Sequence, residues 1–109
     1  MNYKSERSKA CDIPRAVKNA VWARDRLRCV LCGDSRAMPN AHYISRAEGG
    51  LGVEKNIVTL CRECHNQYDQ STSRAAIREE IRNYLVGKYG DEWREEDLYF
   101  RRFNKLARK

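Results

Sequence analysis

His42, Asn56 and His65 follow one another along a stretch bracketed by Cys29-x-x-Cys32 and Cys61-x-x-Cys64. Those residue types bring two chemistries within reach. Four thiolates in two close pairs can close a tetrahedral zinc site, with sulfur filling every coordination position. Two imidazoles and a carboxamide, set between and just beyond the pairs, can run hydrolysis on a second metal.

The competing use of a C-x-x-C pair is redox exchange. That motif occurs once per domain, within an alternating strand and helix pattern that this chain lacks. Zinc is the better reading of Cys29, Cys32, Cys61 and Cys64, tying the start of the central segment to the helix after it. Cys11 stands outside both pairs and reads as an incidental thiol.

Several elements must hold these residues in place. Asp12-Ile13-Pro14 reads as a helix start, with Asp12 as N-cap and the proline in the first turn, where a missing N–H costs nothing. Ile13, Val17, Ala20 and Val21 follow at helical spacing. Arg15, Lys18, Arg24, Arg26 and Arg28 surround that helix and its exit, within reach of phosphates. Pro39-Asn40 marks a turn, and Ala41 to Ser45 alternates as a short strand. Residues 46–55, with Gly49, Gly50 and Gly52, read as a flexible loop. The β-branched run Asn56 to Leu60 is a second strand, and the second cysteine pair leads into a helix over about 62–70. Ser71-Thr72-Ser73 breaks it. Ile77, Ile81, Tyr84, Leu85 and Tyr89 then repeat at helical intervals from Arg74 to about Lys88. Trp93, Leu98, Tyr99, Phe100 and Phe103 read as an apolar clasp ahead of a basic tail.

Histidine on a strand, a glycine loop, a second strand and a histidine on a helix make a ββα layout. At this point the chain resembles the HNH nucleases, also called ββα-metal or His-Me finger nucleases. The likeness is carried by Ala41-His42-Tyr43-Ile44-Ser45-Arg46, Gly49-Gly50 and Asn56 through His65, and it spans about residues 13–70. The flanking cysteine pairs match a zinc-stapled subgroup, of which small members are carried by bacteriophages.

The resemblance implies an α+β fold, with a small ββα-metal core, a structural zinc site and flanking helices. It implies His42 as general base and Asn56 as the brace that keeps the base aimed. It implies His65 as ligand of a catalytic divalent metal, Mg²⁺, Mn²⁺ or another, beside the structural Zn²⁺. Family members place Asp or His immediately before the base as a further ligand, where this chain has Ala41. Asp69 lies four residues beyond His65 on one helical face and is the replacement expected here. Arg46 is the candidate phosphate clamp, with Lys55 and Arg62 as weaker ones.

Bulk composition agrees. The 109 residues suit one domain, with 41% hydrophobic and 34% charged residues, and a core that size wants a staple. A net charge of +7 draws polyanions. The expected organisation is a flexible N-terminal arm over 1–11, the nuclease core over 12–70, and a C-terminal helix with basic tail over 71–109 packed on the core. The N-terminus lacks a signal-peptide pattern, no run reaches transmembrane length, and the cysteine count is odd, so the expected place is the cytoplasm, without membrane contact. The expected partner is double-stranded DNA. A phage terminase or other phage protein is the partner that small phage versions suggest. Two functions stand side by side: a metal-dependent DNA endonuclease, and a non-catalytic zinc-stapled binding or adaptor module on the same scaffold.

Overall fold

The computed structural model describes residues 5–101. In chain order it contains α1 (Glu6–Cys11), α2 (Arg15–Arg24), β1 (Ala37–His42), β2 (Ile57–Cys61), α3 (Arg62–Gln70) and α4 (Arg74–Tyr89). Short 3-10 turns interrupt the connections at Arg46–Glu48, Glu54–Asn56, Gly90–Glu92 and Glu95–Leu98. The architecture is α+β, with β1, β2 and α3 forming the ββα unit and the remaining helices around it.

β1 and β2 pair antiparallel, with Ala37 opposite Cys61, Met38 opposite Leu60, Ala41 opposite Val58 and His42 opposite Ile57. Three steps along β1 between Met38 and Ala41 match two along β2, so β1 carries one extra residue, a bulge. The expected turn at Pro39-Asn40 is this bulge instead. A proline that cannot donate a ladder bond is tolerated there, and β1 consequently begins four residues before Ala41. β2 is buried along its whole length, which accounts for its unbroken β-branched and apolar character.

On α4, Ile77, Ile81 and Leu85 recur every fourth residue and are buried against the sheet side of the core, beside Tyr43, Ile44, Val58 and Tyr68. The expected four-residue apolar stripe is narrower, and its first residue, Ile13, lies ahead of α2. Val21 is fully buried, while Ile13, Val17 and Ala20 are only half-buried. The clasp closes the far side, with Trp93 and Leu98 buried and the Trp93 indole donating to the Lys55 carbonyl at 2.8 Å. Phe103 and the basic tail from Arg102 lie outside the described residues.

Two expectations at the N-terminal side are overturned. Residues 6–11 of the expected flexible arm are helical, and Cys11, the thiol outside both pairs, is 1% exposed and part of the core. Asp12 caps the C-terminus of α1, its backbone N–H bonding Ser8 and Lys9 carbonyls, and does not N-cap α2. The segment between the helices is extended, as residues ahead of a proline tend to be, and Pro14 itself becomes the N-cap residue of α2.

The glycine loop is not slack either. A Cβ on Gly50 would sit 1.7 Å from the Ile44 carbonyl oxygen, and one on Gly52 would sit 1.8 Å from the Asp12 carbonyl oxygen. These glycines exist to let backbones touch. The Leu51 amide bonds the Leu98 carbonyl and the Phe100 amide bonds the Gly49 carbonyl, so the C-terminal segment buckles over the loop.

Candidate functional site

The four paired cysteines come from two places. Cys29 and Cys32 sit on a tight turn in which the Gly33 amide bonds the Cys29 carbonyl and the Cys29 amide bonds the Asp34 carbonyl, each at 2.9 Å. Gly33 takes the left-handed conformation (φ +81°) that ends the turn. Cys61 closes β2 and Cys64 lies in the first turn of α3, whose Cys64 amide is directed at the Cys61 sulfur. The four Sγ atoms lie within 4.8 Å of one another, and Cys32 and Cys61 sulfurs are 3.6 Å apart. Sulfurs on a tetrahedral zinc at ~2.3 Å would be about 3.8 Å apart. The cluster fits zinc.

Protonation tells the same story. Burial pushes the Cys29 thiol up, but backbone amides of Cys61, Cys32 and Leu31 pull it down to about 7. Burial and the neighbouring sulfurs of Cys61 and Cys29 push Cys64 up. Thiolates this close repel one another unless a cation shares the space.

The second group lies across a cleft of about 660 Å³. His42 at the end of β1 and His65 and Asp69 on α3 line it together, as do Arg46, Lys18, Asn40 and Arg74. His42 and His65 therefore share one space, and neither belongs to the sulfur cluster.

His42 is half-buried, and its Nε2 lies 2.8 Å from the Cys11 carbonyl oxygen. A carbonyl can only accept, so Nε2 carries the proton and Nδ1 keeps its lone pair. Burial lowers the pKa of the ring, and the positive charge of Arg46 lowers it further, against the raising effect of the Cys11 carbonyl. The balance favours the neutral imidazole.

Asn56 is fully buried behind the strand ends. Its Oδ1 accepts from the Ile44 amide at 2.7 Å, and its Nδ2 donates to the carbonyls of Ile44 at 3.1 Å and Leu51 at 2.8 Å. One carboxamide thus joins the exit of β1 to the glycine loop, two residues from His42.

On α3, His65 Nε2 and Asp69 Oδ2 are 3.6 Å apart. Two neighbouring ligands of an octahedral ion at ~2.1 Å span about 3 Å, which a small side-chain rotation reaches. The donor set, one imidazole nitrogen and one carboxylate oxygen, suits a hard or borderline divalent ion. Ala41 is fully buried in the core, so the position before His42 faces away from solvent and offers no ligand.

Arg46 sits at the rim, partly exposed, with its guanidinium 3.0 Å from Asp12. Lys55, by contrast, is committed to structure, donating to the Glu92 carbonyl at 3.0 Å and lying over the Tyr89 ring. Arg24 is likewise occupied inside the fold, and does not reach outward for phosphate. The sequence hides Asn40, because Pro39-Asn40 reads as a turn. Strand alternation from His42 is the signal that finds it.

Comparison with known proteins adds three findings. The HNH endonuclease family model matches residues 29–71, the stretch that holds both cysteine pairs, His42, Asn56, His65 and Asp69. The chain is similar to Anaredoxin of Nostoc sp. (strain PCC 7120 / SAG 25.82 / UTEX 2576), with 31% identity over 55 residues, covering 50% of this chain and 72% of that protein. No solved structure matches.

Proposed function

The chain belongs to the HNH endonuclease family, and on that premise we propose that it is a metal-dependent endonuclease hydrolysing phosphodiester bonds of double-stranded DNA. The observation that carries this reading is the shared cleft, which His42 enters from the strand and His65 from the helix.

His42 is the general base. With Nε2–H given to the Cys11 carbonyl, Nδ1 is the atom free to take a proton from the attacking water. Its lowered pKa keeps that nitrogen unprotonated near neutrality, at the cost of some basicity. Asn56 holds the backbone on either side of Gly50, so the end of β1 cannot swing and the ring keeps its aim. Arg46 trades part of its pairing with Asp12 for a phosphate oxygen when DNA arrives. Lys18 and Arg74, lining the same cleft, contact neighbouring phosphates without reading sequence.

His65 and Asp69 are the residues that would hold the catalytic ion, Mg²⁺ or Mn²⁺ in the first instance. When bound there, the ion supplies polarisation of the scissile phosphate and neutralises charge on the departing 3′-oxygen. The expected products carry a 5′-phosphate and a 3′-hydroxyl.

The test is plasmid nicking with purified protein and Mg²⁺ or Mn²⁺, alongside His42→Ala. Nicking that needs the metal and vanishes in the variant supports the reading. Nicking that survives in His42→Ala removes the assigned base. DNA binding without nicking under any divalent ion favours a non-catalytic module, for which the buried Ala41 in place of a ligand is the supporting observation.

A further inference from the structure

α1 is six residues long, polar, and outside the residues that match the family. A helix so short has no stability of its own in water. Yet it is fastened to the glycine loop at three points. Arg7 donates to the carbonyls of Arg46 at 3.1 Å and Ala47 at 2.8 Å. The Gly52 amide donates to the Ala10 carbonyl at 2.9 Å. The Asp12 carboxylate pairs with Arg46 at 3.0 Å. Between these latches lies Cys11, fully buried, whose carbonyl receives the His42 Nε2 proton.

We propose that α1 is a positioning strap for the base: the segment Arg7–Asp12 delivers the Cys11 carbonyl to His42, and Gly52 is the residue that permits the approach. The inference rests on the reading of His42 as general base. Its physical content is a chain of contacts. The two carbonyls that Arg7 grips belong to the first two residues of the Arg46–Glu48 3-10 turn, so both bonds are made to one charged donor. That grip fixes the distance between α1 and the loop. Gly52 then abuts the Cys11–Asp12 backbone so closely that a methyl there would lie 1.8 Å from the Asp12 oxygen and 3.1 Å from the Cys11 oxygen. Gly52 has ordinary backbone angles, so its lack of a side chain serves proximity and not a turn. Displacing Cys11 would free both imidazole nitrogens to exchange the proton, and leave Nδ1 unaimed.

The experiment compares the full chain with Gly52→Ala, Arg7→Ala and Arg7→Lys. Zinc content and thermal melting establish that each variant is folded. With two histidines in the chain, a His65→Gln control assigns the ¹⁵N ring signals of His42 in protein without DNA. In the wild type the strap requires a ring protonated at Nε2 alone. Gly52→Ala is expected to give a mixture of tautomers and a kcat for plasmid nicking lowered on the order of 100-fold, with KM little changed. Arg7→Ala should move both readouts the same way by less, and Arg7→Lys should restore part of the loss. An unchanged tautomer in Gly52→Ala, or an unchanged kcat, overturns the proposal. Should Gly52→Ala lose zinc or its cooperative melt, Arg7→Ala decides by the same two readouts. Because the ring spectrum needs no DNA, a wild type that does not nick sinks the proposed function alone, while the spectrum still judges the strap.

Discussion

Asp25 accepts both arms of its sequence neighbour Arg24, at 2.7 and 3.0 Å, with none of its side chain exposed. The same carboxylate takes the Thr59 amide at 2.9 Å and the Tyr84 hydroxyl. Arg24 in turn donates to the carbonyls of Glu54 and Ile57 and lies between the rings of Tyr84 and Tyr89, 5.8 Å from each. Burial works against the guanidinium charge, and the bonds to Asp25 and Tyr89 more than offset it, so its pKa is raised. This knot binds α2 to β2 and α4.

Asp25→Ala leaves the half-buried Arg24 cation without its counter-charge. A buried pair broken on one side costs about 3–5 kcal/mol, and the loss should appear as an equal fall in urea-unfolding free energy. Retained stability would mean that the pair is ornamental.

Asn56→Asp keeps size and shape but turns a donor into an acceptor. The new carboxylate would face the carbonyls of Ile44 and Leu51 that Nδ2 now serves. A loss of about 3 kcal/mol in unfolding free energy is expected, with nicking abolished under conditions where zinc is still bound. Nicking at the wild-type rate would show that the brace does not aim His42.

The pH dependence of nicking has a defined sign. If His42 is the base, as proposed, its active form is neutral, and burial, then Arg46, lower its pKa below the ordinary 6.5. Nicking rate should therefore rise with pH along a limb whose midpoint lies below 6.5. Arg46→Ala removes a positive neighbour and should move that midpoint upward, whatever it does to the rate. In unfolding experiments the same shift makes stability fall as pH drops from 6.5 toward the folded value, because the unfolded chain binds the proton first. A limb above 6.5 would contradict the burial argument.

Removing the zinc and removing the ion of the proposed catalytic site should produce different failures. Stripping zinc from Cys29, Cys32, Cys61 and Cys64 withdraws folding free energy, on the order of 10 kcal/mol in small zinc domains, so the cooperative melt should be lost. His65→Ala or Asp69→Asn should leave zinc content and melting intact. Either variant should raise the Mg²⁺ or Mn²⁺ concentration needed for nicking by more than about 10-fold, the least that losing even an outer-shell partner of a metal costs. Zinc loss in His65→Ala, read by elemental analysis, would place that ring among the sulfur ligands instead.

Where the sequence was legible, a local rule governed the residues. β2, α3 and α4 follow from a β-branched run and from apolar spacing, and burial in the structure tracks both. The sulfur cluster was equally plain, since the ligand spacing is itself the geometry. The start of β1 is hidden in the sequence because Pro39 looks like a turn unless the bulge that tolerates it is known. α1 is hidden in the sequence because Glu6 to Cys11 has no apolar stripe, and its helix is upheld by contacts with residues about forty positions away. The fate of Arg24 was hidden for the same reason: an arginine looks alike in sequence whether it meets a phosphate or a buried aspartate.

The buckle formed by residues 93–100 acts at a distance in time as well as space. Tyr43 gives its hydroxyl to Glu95, and the loop at Gly49 and Leu51 waits for Phe100 and Leu98. A ribosome releases those partners some fifty residues after the strand end they secure. A chain still being translated thus carries both histidines well before it owns the clamp that steadies the ground between them, and any cutting on the proposed reading should arrive only once residues 93–100 have emerged.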